Sequence, residues 1–516
     1  MLFPFQRRPL EQLAPPWNAS KPAVLSQIEA ALRADPAGEV HLPDDRDPEE
    51  IRWAPGALDA LFGRPSSTQS ISARTIVTAL SALVRRPSDA AYRHFYGIIQ
   101  RDDAISIVDE MLSVLSTQTM PRDKVAAIAR EVARKSPDVS AVKLVLALLG
   151  LAGAAEDRNL ILTLGRFDEL TIFAAVALRN LLENAEDEVW TLAKNVRGWG
   201  RIRAIFQLAG TTRADIKAWL LREGWDNSIM IEESAYFCAT QGDLLTALRA
   251  DDPDQPLLDG AGEILHALVN GGPAEDMGHY PDGAEASRLY VRHVAATPSL
   301  LRRYRHVKAI FDFAQGEPPS QWSAETRWDI RTNASLYLGR VEWSELVKQS
   351  LRSSDQQAFW LACEVGQMIG VDVWPARFER QRAGVSDEWY FLMQSQNVDC
   401  IEQVLALARD RLDLAKVGSG PDTSTGLGPI FKDDSAVDFI VQDLKRFPGV
   451  GWDVVKVAMR GRTVRCRNMA LNALVAWGRD AWPADAEDVL TRALEAEPDD
   501  KVRSRIRAVL TGKEAS

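Results

Sequence analysis

Residues 199–251 read WGRIRAIFQLAGTTRADIKAWLLREGWDNSIMIEESAYFCATQGDLLTALRAD, and the apolar residues in this stretch recur at the helical period. Ile202, Ile205, Phe206 and Ala209 stand at i, i+3, i+4 and i+7, one face of a helix turning every 3.6 residues. Gly210 follows, where a positive φ can close that helix. Thr212, with Asp215 three residues on, has the spacing of a capping box and predicts a second helix. The stripe of that helix is Ile216, Trp219 and Leu220, stopped by Gly224. Asp226 or Asn227 can cap a third helix bearing Ile231, Ala235, Cys238 and Ala239. Gly242 ends it, and Asp243 caps a fourth with Leu244, Leu245 and Leu248. Helices this short are not stable alone in water, so each must bury its stripe against its neighbours. The expected object is a stack of helices.

The same texture extends along most of the 516 residues. Helical patterns cover 71–84, 89–100, 104–116, 121–136, 140–151 and 168–184. Residues 1–70 differ: prolines break the first stretch, 43–48 is an acidic turn, and short helices fit 24–33 and 51–62. This part is expected to be an irregular N-terminal cap over the open end of the array. The expected organisation is then a helical array over 71–270, a Gly/Pro-rich break at 271–283 and a second array over 284–416. A linker or mobile loop at 417–430 (VGSGPDTSTGLGP within it) and C-terminal repeats over 431–516 complete it. No β alternation stands out.

Two stretches carry a resemblance. Residues 199–248 and 467–510 resemble bacterial HEAT-repeat proteins, and together cover about a fifth of the chain. The second has an alanine-rich first helix (Ala470, Ala473), a proline-started second helix (Pro483), and Asp500, Val502 and Arg503 opening the next. The resemblance implies an all-α fold, a right-handed α-solenoid with a concave binding face, and a protein partner. Similar bacterial proteins sometimes carry the label limonene hydroxylase.

The residues that an oxygenase would need do not accompany that label. A haem-thiolate loop wants arginine two residues before its cysteine, and Val464 occupies that place before Cys466. Paired His-Glu dipeptides would serve a di-iron centre, but none of the six histidines is followed by glutamate. The four cysteines, Cys238, Cys363, Cys400 and Cys466, form no C-x-x-C, and Cys238 and Cys363 fall on helical stripes as small buried hydrophobes. No cofactor or metal is implied. A net charge of −11 argues against nucleic acid and against an anionic membrane surface. The start of the chain does not read as a signal peptide, and no apolar run reaches spanning length, so a cytoplasmic location is expected. Arg302, Arg303, Arg305 and His306 could make a local basic patch, although a solvated helix face fits them better.

Fifteen tryptophans are about double ordinary usage. Trp322, Trp328, Trp343, Trp360, Trp374 and Trp389 form one cluster in sequence; Trp199, Trp219 and Trp225 form another, beside arginines. Packing between helices explains most such residues, whereas an exposed aromatic–arginine surface has the composition of a binding hot spot. Outside the stripes, Trp199, Arg201, Arg203, Arg222, Trp225 and Asn227 are the candidate binding residues. The expected function is a protein-interaction scaffold, or an inhibitor or immunity-type protein holding a basic partner. Enzymes on the same scaffold, an oxygenase or a DNA-base glycosylase, and a small-ligand binder are the alternatives.

Overall fold

The computed structural model describes residues 10–43, 54–57, 72–101, 104–317 and 319–512. The acidic turn over 43–48 and the short helix expected over 51–62 lie almost wholly outside these residues. Among the described residues the regular structure is helical, and Ser424 and Thr463 form an isolated β-bridge. The chain divides into two compact units, one running to Arg340 and the other from Val341. The expected breaks at 271–283 and 417–430 each fall inside a unit.

In the first unit helices pack on their near neighbours in sequence. Arg122–Lys135 lies on Val139–Ala152, which lies on Asp168–Leu181, which in turn meets Gly198–Phe206. Val139–Ala152 (VSAVKLVLALLGLA) is apolar on nearly every side, and almost all of it is buried. Gly150 lets Asp168–Leu181 come close: a Cβ there would stand 2.7 Å from Ala177 Cα. Lys143 keeps its charge in this apolar helix by pairing with Glu169 at 3.1 Å.

Local capping differs from the sequence reading in two places. Thr212 and Asp215 form no capping box; the helix Ala214–Trp219 has no side-chain cap. Asp215 instead takes Arg213 at 2.6 Å, and Arg213 also reaches Asp187. Asp215 still accepts a backbone bond, but from Ile216 N–H at 3.0 Å and without a reciprocal bond from Thr212. Asp243 stands at the N-cap of Leu244–Leu248 as expected, but in the left-handed region at φ 57° and with no side-chain cap bond. Asn227 does accept backbone bonds, from Ile229 and Met230, and the helix beyond it begins at Glu232.

Arg302, Arg303, Arg305 and His306 form neither a basic patch nor a solvated face. Arg303 is 1% exposed and bonds Asp259 at 2.8 Å and Gln255 at 2.6 Å. His306 is fully buried between Glu263, 3.2 Å from Nε2, and Tyr290 Oη, 3.2 Å from Nδ1. Arg305 bonds Glu263 at 2.8 Å. A neutral imidazole satisfies the whole chain of bonds: Nε2–H donates to Glu263, and Nδ1 accepts the Tyr290 hydroxyl. Burial holds His306 below its ordinary range, which keeps it neutral. Burial works against Glu263 ionising, yet the bond from His306 and the charges of Arg305 and Arg302 bring it down to about 2. Gly262 makes room for this cluster, since a Cβ there would fall on His306 Nδ1 and Tyr290 Oη. Gly262→Ala is expected to destabilise the first unit by about 3 kcal/mol, read by urea denaturation.

His266, whose ring lies 5.6 Å from that of His306, is held down to about 3, first by burial and then by the charge of Arg305. The unfolded chain takes up a proton at His266 near 6.5, while the folded chain resists until about 3. Acidification through that window therefore favours the unfolded state. His266→Gln is expected to gain on wild type by up to about 1.4 kcal/mol per pH unit across it, measured by denaturation at a series of pH values.

In the second unit Ile401, Leu405, Val437, Ile440, Val454, Leu471, Leu474 and Ile506 share one core. The 417–430 stretch is irregular but fastened. Gly420 N–H bonds Arg460 O at 3.2 Å, Arg462 N–H bonds Val417 O at 3.1 Å, and Val464 N–H bonds Ser424 O at 3.0 Å. Cys238, Cys363 and Cys466 are buried and free. Among the described residues no helix is long and apolar enough to cross a membrane.

Candidate functional site

The six candidate residues of the opening stretch separate into two groups. Trp199, Arg201 and Asn227 turn inward. Trp199 is 4% exposed and packs with Ala57, Ile202 and Phe206. Arg201 is 4% exposed and donates to five backbone carbonyls: Ala193, Lys194 and Val196, then Glu223 and Asp226. It thus closes the C-terminal end of Glu186–Asn195, whose last carbonyls have no partner within that helix. Its burial holds the guanidinium down to about 10. Asn227 is fully buried; its amide donates to Met230 O and Ser234 Oγ. These residues shape the backbone between 193 and 234.

The other three are partly exposed and do not join them in one surface. Arg203 lies over the Phe206 ring at 6.0 Å. Arg222 pairs with Asp254 at 2.9 Å. Trp225 buries its indole Nε1 against the helix Gln255–Asn270, where a Cβ on Gly260 would stand 2.7 Å away. Trp219 is 7% exposed, edge-on to Trp190.

The later tryptophans divide more usefully. Trp322, Trp343 and Trp389 are each 3% exposed and belong to the interior. Trp374 stacks on Phe378 at 4.9 Å. Trp328 is 67% exposed and Trp360 is 50% exposed. In the second unit Trp360 is the start of a run of aromatic and arginine contacts. Its Nε1–H reaches Glu388 Oε1 at 3.4 Å. Glu388 is fully buried and ion-pairs with Arg377, itself 5% exposed. The Arg377 guanidinium lies 4.1 Å from the centre of the Phe391 ring. Tyr390 stands edge-on to both Phe391, at 5.3 Å, and Phe439, at 5.7 Å. Arg465 lies over Phe439 at 5.6 Å and pairs with Asp438 at 3.4 Å.

The helical period explains why these aromatics face outward. In Gln356–Met368 the stripe Phe359, Ala362, Cys363 and Gly366 is buried, which turns Trp360 out. In the single turn Trp389–Leu392, Trp389, Leu392 and Met393 go inward and leave Tyr390 at 42% and Phe391 at 41% exposure. Arg377 and Glu388 then hold the exposed rings from below. The result is an aromatic–arginine surface fixed before any partner arrives. Trp360 was in the tryptophan cluster noted in the sequence; Tyr390, Phe391, Arg377 and Glu388 were not noted. Their signal was the run Glu388-Trp389-Tyr390-Phe391, too large an aromatic load for one short helix to bury.

Among the described residues no group of three or more His, Cys, Asp or Glu could hold a metal ion. No known family's sequence model matches the chain, and no curated protein matches it.

Proposed function

We propose that this chain is a protein-interaction scaffold built of HEAT-like helical repeats. Its partner docks on the aromatic–arginine surface around Trp360, Tyr390 and Phe391. The observation that carries the reading is the exposure of these three large rings, 41–50% each, above a buried Arg377–Glu388 pair. Aromatic residues and arginine dominate the energetics of protein interfaces, and rings held rigid lose little entropy on binding. The packing of most first-unit helices on their near neighbours supports the HEAT-like reading. The net charge of −11 favours a partner of positive net charge in the cytoplasm, which long-range attraction would steer towards the chain. An inhibitor or immunity-type protein is one form of such a scaffold. Affinity purification of the full chain from its host lysate tests the proposal. One stoichiometric protein partner is the expected result. Purified protein that carries iron, haem or flavin absorbance and retains no partner would overturn it.

A further inference from the structure

A second place in the first unit has the features of a ligand site. A cavity of about 120 Å³ opens where Asp168–Leu181 meets the start of Gly198–Phe206. The Asp168 carboxyl lines it. That carboxyl accepts the backbone N–H groups of Trp199 and Gly200. Among the described residues it has no ion-pair partner. The two arginines at the cavity are already committed. Arg166 donates to the carbonyls of Pro36, Gly38 and Asn195. Arg197 pairs with Asp226 at 3.0 Å. The other charges that act on it, Glu39 and its own helix neighbour Glu169, are negative.

The local sequence is fitted to this carboxyl. Gly198 and Gly200 flank Trp199, and a Cβ on either would collide with an Asp168 oxygen. Glycine in a helix costs about 1 kcal/mol against alanine, so two in one turn mark a place where side chains are kept away. Ser228, on the cavity rim, stands at φ 62°, a left-handed conformation that a non-glycine residue seldom holds. Asn227, from the candidate set, fixes that turn through Ile229 and Met230. The remaining walls include the apolar Val40, Pro55, Val196 and Ile229.

An anion is disfavoured here, because Asp168 already occupies the positive end of the helix Gly198–Phe206. What the site lacks is a cation. We propose that this cavity binds an organic ammonium or guanidinium group on a short aliphatic stem, with Asp168 as its counter-ion and the apolar walls against the stem. The stem belongs either to a free small molecule or to a lysine or arginine of a bound protein. Burial, with the charges of Glu39 and Glu169, pushes Asp168 up to about 7 against the pull of its two backbone bonds. Binding of a cation therefore releases a proton and tightens as pH rises. His41 stands at the rim, 3.8 Å from Glu39.

Titration calorimetry on the full chain with butylguanidinium, butylammonium and butyrate tests the proposal. Both cations are expected to bind in the millimolar range, about tenfold tighter at pH 8 than at pH 6, and butyrate not at all. His41→Gln should keep the pH dependence. Asp168→Asn, checked for unchanged thermal unfolding, should weaken cation binding at pH 8 by about tenfold or more. Ile229→Trp should block the cavity without touching the charge. Equal binding of N-acetyl-arginine amide and butylguanidinium assigns the stem to a protein side chain, whereas exclusion of the amide assigns it to a free cation. Absence of cation binding at pH 8, preference for butyrate, or unchanged binding in Asp168→Asn would overturn the proposal. None of these outcomes bears on the surface around Trp360.

Discussion

Glu388→Ala is expected to lower the stability of the second unit by about 3–5 kcal/mol, the usual cost of stranding one member of a buried ion pair. Glu388 is fully buried, and among the described residues its charged partner is Arg377, which is 5% exposed. Among the described residues Arg377 Nε is buried without a hydrogen-bond partner, so the guanidinium depends on Glu388 for its charge pairing. The variant also removes the acceptor for the Trp360 indole and the partner that holds Arg377 against the Phe391 ring. Stability and partner binding should therefore fall together. Glu388→Gln keeps an acceptor for Trp360 and should lose less of both. The double variant Arg377→Met with Glu388→Leu should recover most of the stability, since apolar residues of similar size replace such pairs well. Chemical denaturation of the full chain, followed by hydrogen exchange at second-unit amides, measures each of these.

The second large effect is expected at Glu497. Arg467 and Glu497 are both almost wholly buried and form a two-bond fork, each bond 2.7 Å. Arg467 also donates to Gly461 O and Asp422 O, each at 2.8 Å. Glu497 accepts the N–H of Asp499, the residue that caps the last helix. Glu497→Ala removes the partner of a buried guanidinium and the support of that cap. A loss of about 3–5 kcal/mol is expected. Because Arg467 holds Asp422, the 417–430 stretch should loosen as well. Limited proteolysis should leave that stretch intact in wild type and cut it in Glu497→Ala. Cleavage at equal rates in both would show that the loop is held by its backbone bonds alone.

The helical character of the chain was legible because apolar periodicity records burial directly. Ile202 and Ile205 are buried, and so are Ala470, Ala473, Leu474 and Trp477. The caps were less legible. Thr212 and Asp215 have the spacing of a capping box, yet Asp215 bonds Arg213 and the N–H of Ile216, and the helix has no side-chain cap. The interior charges were not legible at all. Arg303 and His306 look like a solvated basic run until Asp259 and Glu263, more than forty residues earlier, are placed against them. The same reason explains Arg201: an arginine beside tryptophans suggests a surface, yet five carbonyls from two other segments make its burial favourable. The outward rings of Tyr390 and Phe391 could have been read from the inward set Trp389, Leu392 and Met393 at i, i+3 and i+4. Aromatic content drew notice to the right region of the chain, and only the direction each ring faces separated Trp360 from Trp343.

The most direct measurement is quantitative affinity purification with wild type and a Trp360→Ser, Tyr390→Ser, Phe391→Ser variant, the two matched for thermal unfolding. Serine at these exposed positions removes the rings and leaves the buried Arg377–Glu388 pair in place. Wild type is expected to retain a stoichiometric protein partner, and the variant to lose it by about a hundredfold, as befits removal of interface hot spots worth roughly 2–3 kcal/mol in combination. Equal retention of that partner by both proteins would contradict a docking role for this surface.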